Sequence, residues 1–329
     1  MMIKSGINQI GGKFRLRKVL EKNTPYHEYF LSLFLGSGIY ELNKAKPFHY
    51  ECFNDANPRI ANYFIVIKLF REEFEKRRQN GPFVLNCRYL YDLLNKGVLT
   101  PKDMIEDAIH FHYQIKLSFG SQLQYRGLVP ETTSKKKFIS AAKESYLEKL
   151  EGIKYKGHFK SNLGKTTRPI SNNDCGILTE INHKVSERLK YVVIESLDFR
   201  KVYNAFYKAY HERKGLGPEV FIYADPPYPG TEHYYSGLFQ PEDHEDLINL
   251  MLESPFKFML SIGGDCQFYL DAFKGDNWII KEVYTKYSTN ANSQELKKEY
   301  LIMNYDINTV PRFEQDNQSN LSKYITMEG

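Results

Sequence analysis

Asp225-Pro226-Pro227-Tyr228 follows directly on the apolar run Val220-Phe221-Ile222-Tyr223, and the two prolines limit what the tetrapeptide can be. Proline has no backbone N–H and a fixed φ, and the first of a pair holds the residue before it extended, so a strand must end there and continue as a stiff loop. By average composition such a tetrapeptide turns up by chance in a chain of this length on the order of one time in a thousand. Its residues suit chemistry at an amino nitrogen. The exocyclic amine of adenine is a poor nucleophile because its lone pair is delocalised into the ring, and acceptors on its two hydrogens favour the pyramidal, attacking form. Asp225 supplies a side-chain oxygen and Pro226 a main-chain carbonyl. Tyr228 offers a flat face to a base turned out of its stack, and the prolines place both acceptors without reorganisation.

A second group is Phe34-Leu35-Gly36-Ser37-Gly38, after the strand-like Tyr29 to Phe34. Glycines in that place let the backbone approach a ligand closely. An acid at the end of the following strand can hold ribose hydroxyls, and Asp55, 17 residues past Gly38, is so placed. The third glycine of the dinucleotide fingerprint is missing, which speaks against an oxidoreductase, and the turn read alone serves tight packing as well as ligand binding.

The elements that must position these groups read as an α/β domain. Residues 26 to 70 resemble a nucleotide-binding βαβ unit: strand Tyr29 to Phe34, the glycine turn, a short helix from Ile39, strand Phe48 to Phe53, and a helix through Ile60, Phe64, Ile67 and Phe70 running into the charged REEFEKRRQ. Further strands are expected at Leu189 to Ile194, Val220 to Tyr223, Lys257 to Ile262 and Tyr300 to Tyr305. From Pro82 to Arg168 the chain is Tyr- and Lys-rich, with helical patches at Met104 to His112 and Ser140 to Leu150 and no βαβ alternation. The expected organisation is a domain of residues 1–82 and 170–329 interrupted by a module at 83–169.

Composition narrows the partners. Twenty-five Tyr and 22 Phe argue for a packed core, and no apolar run reaches the roughly 18 residues of a membrane span. The N-terminal residues carry no apolar secretion signal, and Cys52, Cys87, Cys175 and Cys266 lack metal-like spacing, so a cytoplasmic protein with neither disulfides nor a bound metal is expected. His110 and His112, two apart on an expected helix, point to different sides and read as core or surface histidines rather than ligands. Asp243-His244 reads as a helix start. The net charge of +5 is local in origin, since residues 131–170 carry ten Lys or Arg against four Glu. Such a cluster is a solvated helical face or a phosphate-contacting surface.

In this order, Gly11-Gly12-Lys13, FLGSG, the NDAN of Asn54 to Asn57, and DPPY resemble the Dam-type, D12 class of S-adenosylmethionine-dependent DNA adenine-N6 methyltransferases. The likeness extends to Arg188 through Ile194 with Asp198-Phe199, to Tyr234-Tyr235 and Asp243-His244, and to Leu301 through Tyr305. It implies a Rossmann-like methyltransferase sheet with helices on both faces and an inserted, mostly helical target-recognition domain. It implies cofactor contacts from Lys13, Phe34, Gly36, Ser37, Gly38, Asp55, Asp198, Phe199 and Asp225, and a catalytic role for Asp225, Pro226, Pro227 and Tyr228. The partners implied are S-adenosylmethionine and double-stranded DNA, for a monomer in a prokaryotic or phage setting, with a cognate restriction endonuclease acting separately. The chain departs from the family at Gln9, where relatives often carry an aromatic residue, and that contact is not carried over. Within the module, Lys135, Lys136 and Lys137 are candidates for phosphates, and Gln124, Arg126, Lys165 and Arg168 for base edges. A cytosine-C5 enzyme would need a nucleophilic cysteine after proline, and the four cysteines follow Glu51, Asn86, Asp174 and Asp265. N4-cytosine methylation uses the same amine chemistry, usually with Ser before the prolines. An RNA or small-molecule methyltransferase would leave the basic module unexplained, and a DNA-binding relative without activity would have no use for an intact DPPY.

Overall fold

The computed structural model describes residues 2–7, 12–47, 49–84, 88–118, 172–212, 219–235, 237–290 and 293–313. The chain forms two compact units, one of Met1–Gly12, Gly36–Leu42 and Asn57–Ser196, the other of Lys13–Leu35, Asn43–Ala56 and Leu197–Gly329.

The second unit is built on a mixed sheet. Its strands β1 (Tyr29–Ser32), β2 (Tyr50–Asn54), β4 (Val220–Ala224) and β5 (Lys257–Gly263) are parallel, β7 (Ser293–Met303) and β6 (Ile279–Asn290) are antiparallel to their neighbours, and the order is β2-β1-β4-β5-β7-β6. Every residue of β4 is buried, as its continuous apolar run requires of a strand covered on both faces. Fully burying Phe221 and Ile222 contributes roughly 1.5–3 kcal/mol each. From β1 the chain goes outward to β2 on one side and returns to β4 on the other. In open α/β sheets ligands bind beyond the carboxyl ends of strands at such a reversal, and the loop after β4 is DPPY. The helices of this unit are α1 (Arg17–Lys22), α7 (Phe199–Glu212), α8 (Asp243–Glu253) and α9 (Gln267–Ala272).

The first unit is helical where it is described, apart from the short strand β3 (Val193–Glu195) and turns. Asn57 caps α2 (Pro58–Leu69) by accepting from Arg59 N–H at 3.0 Å, and Pro58 occupies the first turn, where its missing N–H costs nothing. The chain then turns at Phe70, φ −129°, into α3 (Arg71–Gln79), so the single helix expected through REEFEKRRQ is two. α4 (Arg88–Asn95) and α5 (Met104–Leu117) follow, the latter capped by Asp103 on Glu106 N–H at 2.8 Å, and α6 (Asn172–Leu189) is the last helix of this unit among the described residues. Of the expected inserted module, residues 83–84 and 88–118 are described; the helices α4 and α5 lie there, with α5 packed on α2 and α3. Residues 119–171, which hold most of that module, lie outside the described residues.

Three local expectations are corrected. Past the glycine turn, Ile39 to Asn43 form turns rather than a helix, with an i→i+4 bond from Leu42 N–H to Gly38 O at 2.9 Å. Leu189 ends a helix, because it completes the buried stripe Leu178, Asn182, Val185, Leu189, a helical period that outweighs the apolar run after it; the strand starts only at Val193. The long hairpin partner β6 is an addition to the expected strands, since its short apolar run Trp278-Ile279-Ile280 gives way at once to exposed Lys281, Glu282 and Tyr284. Among the described residues no helix is long and apolar enough to cross a membrane.

Candidate active site

β4 ends where its ladder must. Pro226 and Pro227 are buried and carry no N–H to offer a neighbour, so Asp225 leaves the sheet. Tyr228-Pro229-Gly230-Thr231 then closes a tight turn, with Thr231 N–H donating to Tyr228 O at 2.9 Å. Pro at the second position, Gly230 at φ +83° in the third and the Thr231 hydroxyl on the same carbonyl at 2.7 Å identify it as type II.

This loop meets two residues from distant parts of the chain. The Lys13 ammonium lies 2.7 Å from Asp225 Oδ1, donates to the Tyr228 hydroxyl at 2.8 Å and is 3.8 Å from Glu299 Oε2, while its own side chain is 4% exposed. The Tyr228 hydroxyl in turn donates to Glu299 Oε2. Glu299, on β7, stands opposite Gly263 of β5, and it is 1% exposed. A Cβ at Gly263 would sit 2.7 Å from Tyr228 Cε2 and 3.3 Å from Glu299 Cγ, so only glycine lets the ring lie against the sheet there. Burial pushes the Asp225 carboxyl up to about 6; Lys13 pulls it down and Glu299 pushes it up. Its side chain keeps 20% of its surface exposed, so the acid edge is reachable from outside. Tyr235 of the following 3₁₀ turn is pushed up to about 12 by burial and by Asp225 and Asp55.

The residue before Asp55 is held by its own side chain. Asn54 is fully buried; its amide donates to Leu33 O at 3.0 Å and Leu197 O at 2.9 Å, and its carbonyl accepts from Leu197 N–H at 2.9 Å. One side chain thereby ties together the ends of β1 and β2 and the residue before Asp198. Asp198 is gripped by Arg200, whose Nε and NH2 reach its two oxygens at 3.0 and 2.8 Å, and Arg200 NH1 reaches Asp243 and Asp246 at 2.6 Å each. Phe34 and Phe199 are ring neighbours at 5.5 Å, both packed near Phe239. In the other unit Gly36 (φ +53°) and Gly38 (φ +66°) adopt left-handed backbone that favours glycine, and Ser37 is buried. A Cβ at Gly36 would meet nothing within 4 Å, leaving open space beside the backbone.

The structure thus brings Lys13, Asp225 and Tyr228 into one hydrogen-bonded cluster. Gln9, Gln124, Arg126, Lys135, Lys136, Lys137, Lys165 and Arg168 lie outside the described residues. Sequence reasoning misses Glu299, Asn54 as a clamp, Arg200 and Gly263. Glu299 carries little signal in the sequence: alternation along β7 puts it in phase with Leu301 and Met303 on one side but with Glu295 and Lys297 on the other, so it reads as the last of a polar run. The histidines behave as packing groups. His110 lies beside Phe83 at 4.9 Å and His112 stacks on Tyr63 at 6.0 Å, its ring held neutral by burial. His244, the second residue of α8, is fixed between Tyr269 (2.8 Å) and Glu232 (2.9 Å).

No curated protein matches the chain. A family model, D12 class N6 adenine-specific DNA methyltransferase, matches residues 10–289, which span the Lys13 segment, the glycine turn and the DPPY loop. The chain belongs to the D12 class N6 adenine-specific DNA methyltransferase family.

Proposed function

We propose that the protein transfers the methyl group of S-adenosylmethionine to N6 of an adenine flipped out of duplex DNA at one recognised sequence. The observation that carries this reading is the Asp225 carboxylate, raised toward neutrality by burial and held by Lys13, at the carboxyl end of β4. The chain's residues fit the cofactor. The open, left-handed glycine turn admits a ligand backbone-close, and Asp55 follows β2 where ribose hydroxyls are held. Phe34 with Phe199 offers an aromatic wall, and Asp198 sits beside it. When bound, S-adenosylmethionine supplies an electrophilic methyl carbon on a sulfonium sulfur.

Lys13 occupies Asp225 Oδ1, and Oδ2 is the atom through which the incoming amine is held, with Pro226 O taking the second hydrogen. Both acceptors draw the N6 lone pair out of conjugation with the ring. The prolines and the type II turn hold them in place before the base arrives. A proton on Oδ2 turns that oxygen from an acceptor into a donor, so turnover rises as pH passes about 6 and the carboxyl ionises. Lys13 keeps the acid ionised at neutral pH against burial and Glu299. The proton of the methylated amine passes to water. Tyr228, with its hydroxyl pinned, offers the base a ring that does not swing.

The module at 83–169 is proposed as the target-recognition domain. Lys135, Lys136 and Lys137 contact phosphates, and Gln124, Arg126, Lys165 and Arg168 are placed at base edges by their type and setting in the sequence. Incubation with S-adenosylmethionine and mixed-sequence duplex, followed by nucleoside mass spectrometry, tests the reading. N6-methyladenine is expected; N4-methylcytosine would move the enzyme to the other amine-directed class, and no methylated base at all would sink the catalytic reading.

A further inference from the structure

We propose that Glu299 is a positioning residue of the methyl-transfer site, holding Tyr228 and Lys13 in the arrangement that presents Asp225 to the amine. The inference rests on the function proposed above. Its basis is geometric. Glu299 Oε2 accepts from the Tyr228 hydroxyl and lies 3.8 Å from the Lys13 ammonium, while the same ammonium donates to that hydroxyl at 2.8 Å and sits 2.7 Å from Asp225 Oδ1. The four groups form one chain, Glu299 to Tyr228 to Lys13 to Asp225, in which the hydroxyl donates one way and accepts the other. A carboxylate 1% exposed on a β-strand is costly to keep unless its partners repay it, and here every named partner belongs to the site.

Gly263 supplies an independent observation. At the position that pairs with Glu299, the neighbouring strand has no side chain, and the space is taken by the Tyr228 ring. The sheet is shaped there to bring acid and phenol together. Electrostatics agrees in direction. Among the described residues, the charged and titratable groups that act on Asp225 are Lys13, Glu299 and Tyr235, with Asp55 acting on Tyr235 as well; Lys13 favours the ionised acid and Glu299 opposes it. Glu299 therefore has two separable effects, a mechanical one through Tyr228 and an electrostatic one on Asp225.

Both are read by comparing Glu299→Ala, Glu299→Gln, Tyr228→Phe and Glu299→Ala combined with Tyr228→Phe, using single-turnover methylation of duplex DNA as a function of pH, S-adenosylmethionine affinity by calorimetry, and thermal melting. Glu299→Ala is expected to slow methyl transfer by about tenfold to a hundredfold with cofactor affinity unchanged, the usual consequence of losing a hydrogen bond to a charged group. Glu299→Gln, whose amide oxygen still accepts from the phenol, should regain most of that rate and shift the acid limb to lower pH, because the opposing charge is gone. In the Tyr228→Phe background, Glu299→Ala should cost little more. A folded Glu299→Gln protein with wild-type rate and an unmoved acid limb overturns the proposal. So does a full, additive cost of Glu299→Ala on top of Tyr228→Phe. If Glu299→Ala does not fold, the pH limb of Glu299→Gln decides alone. Wild-type turnover by Asp225→Ala would instead remove the reading of the whole site, which keeps the two failures apart.

Discussion

Glu75 and Asp225 are both carboxylates withdrawn from water, and their surroundings answer them in opposite ways. Glu75, in the helical unit, has a side chain 7% exposed. It accepts from the Asn182 amide, from the Thr179 hydroxyl at 3.1 Å and from Arg78 at 3.4 Å, and Asn182 passes the network on to the Tyr63 hydroxyl at 3.2 Å. Donors from α3 and α6 fill it, and it knits the helices together. Asp225 has Lys13 as its one ion partner among the described residues, and a second carboxylate works against it. A filled carboxylate holds structure, whereas an underfilled one keeps capacity for a substrate's hydrogens.

The sharpest way to break this contrast is to remove Asp225. Asp225→Ala should lower methyl transfer by at least about 10²–10³-fold, the scale of losing one preorganised polar contact to the reacting group, while leaving melting little changed. Wild-type turnover in that variant would show the carboxylate to be structural after all. The reciprocal change, Glu75→Ala, removes the buried acceptor shared by Arg78, Thr179 and Asn182 and should destabilise the protein by about 3–5 kcal/mol in urea unfolding, with the rate per folded molecule preserved. An unchanged unfolding midpoint would erase the distinction.

Smaller effects sharpen it. Lys13→Gln removes the ammonium that lowers the acid's affinity for protons. The Asp225 carboxyl, already raised to about 6, should therefore titrate higher. Its acid limb in a rate–pH profile moves up, so activity lost near neutrality is partly recovered at alkaline pH; a limb that moves down would contradict the assignment. Asp55→Ala should weaken S-adenosylmethionine binding by about one to two powers of ten in calorimetry, with no displacement of the acid limb. Neutralising Lys135, Lys136 and Lys137 together is the mildest change. It should reduce the salt slope of DNA binding by about 0.9 log–log unit for each phosphate no longer neutralised, equally for all sequences, and an unaltered slope would return the run to a solvated face.

Local chemistry settled much in advance. The apolar run before DPPY had to be a buried strand, the prolines had to end it, and Asn57-Pro58 had to open a helix, because each depends on the backbone's own hydrogen bonds and dihedrals within a few residues. The ordered motifs from Lys13 to Tyr228 were enough to point to the family. Where periods competed, the sequence misled: Leu189 belonged to the helical stripe of α6, and the outer strand β6 offered only the short apolar run Trp278-Ile279-Ile280 before its polar residues. Only the tertiary structure decided which groups share the site. Lys13 and Asp225 are separated by more than two hundred residues, and Glu299 by 74 more. Their meeting depends on β7 inserting antiparallel beside β5, on Gly263 yielding its side-chain space to Tyr228, and on the register that sets Glu299 opposite that glycine. Burial does the rest, since a carboxyl's readiness to hold a proton is a property of its surroundings and not of its place in the chain.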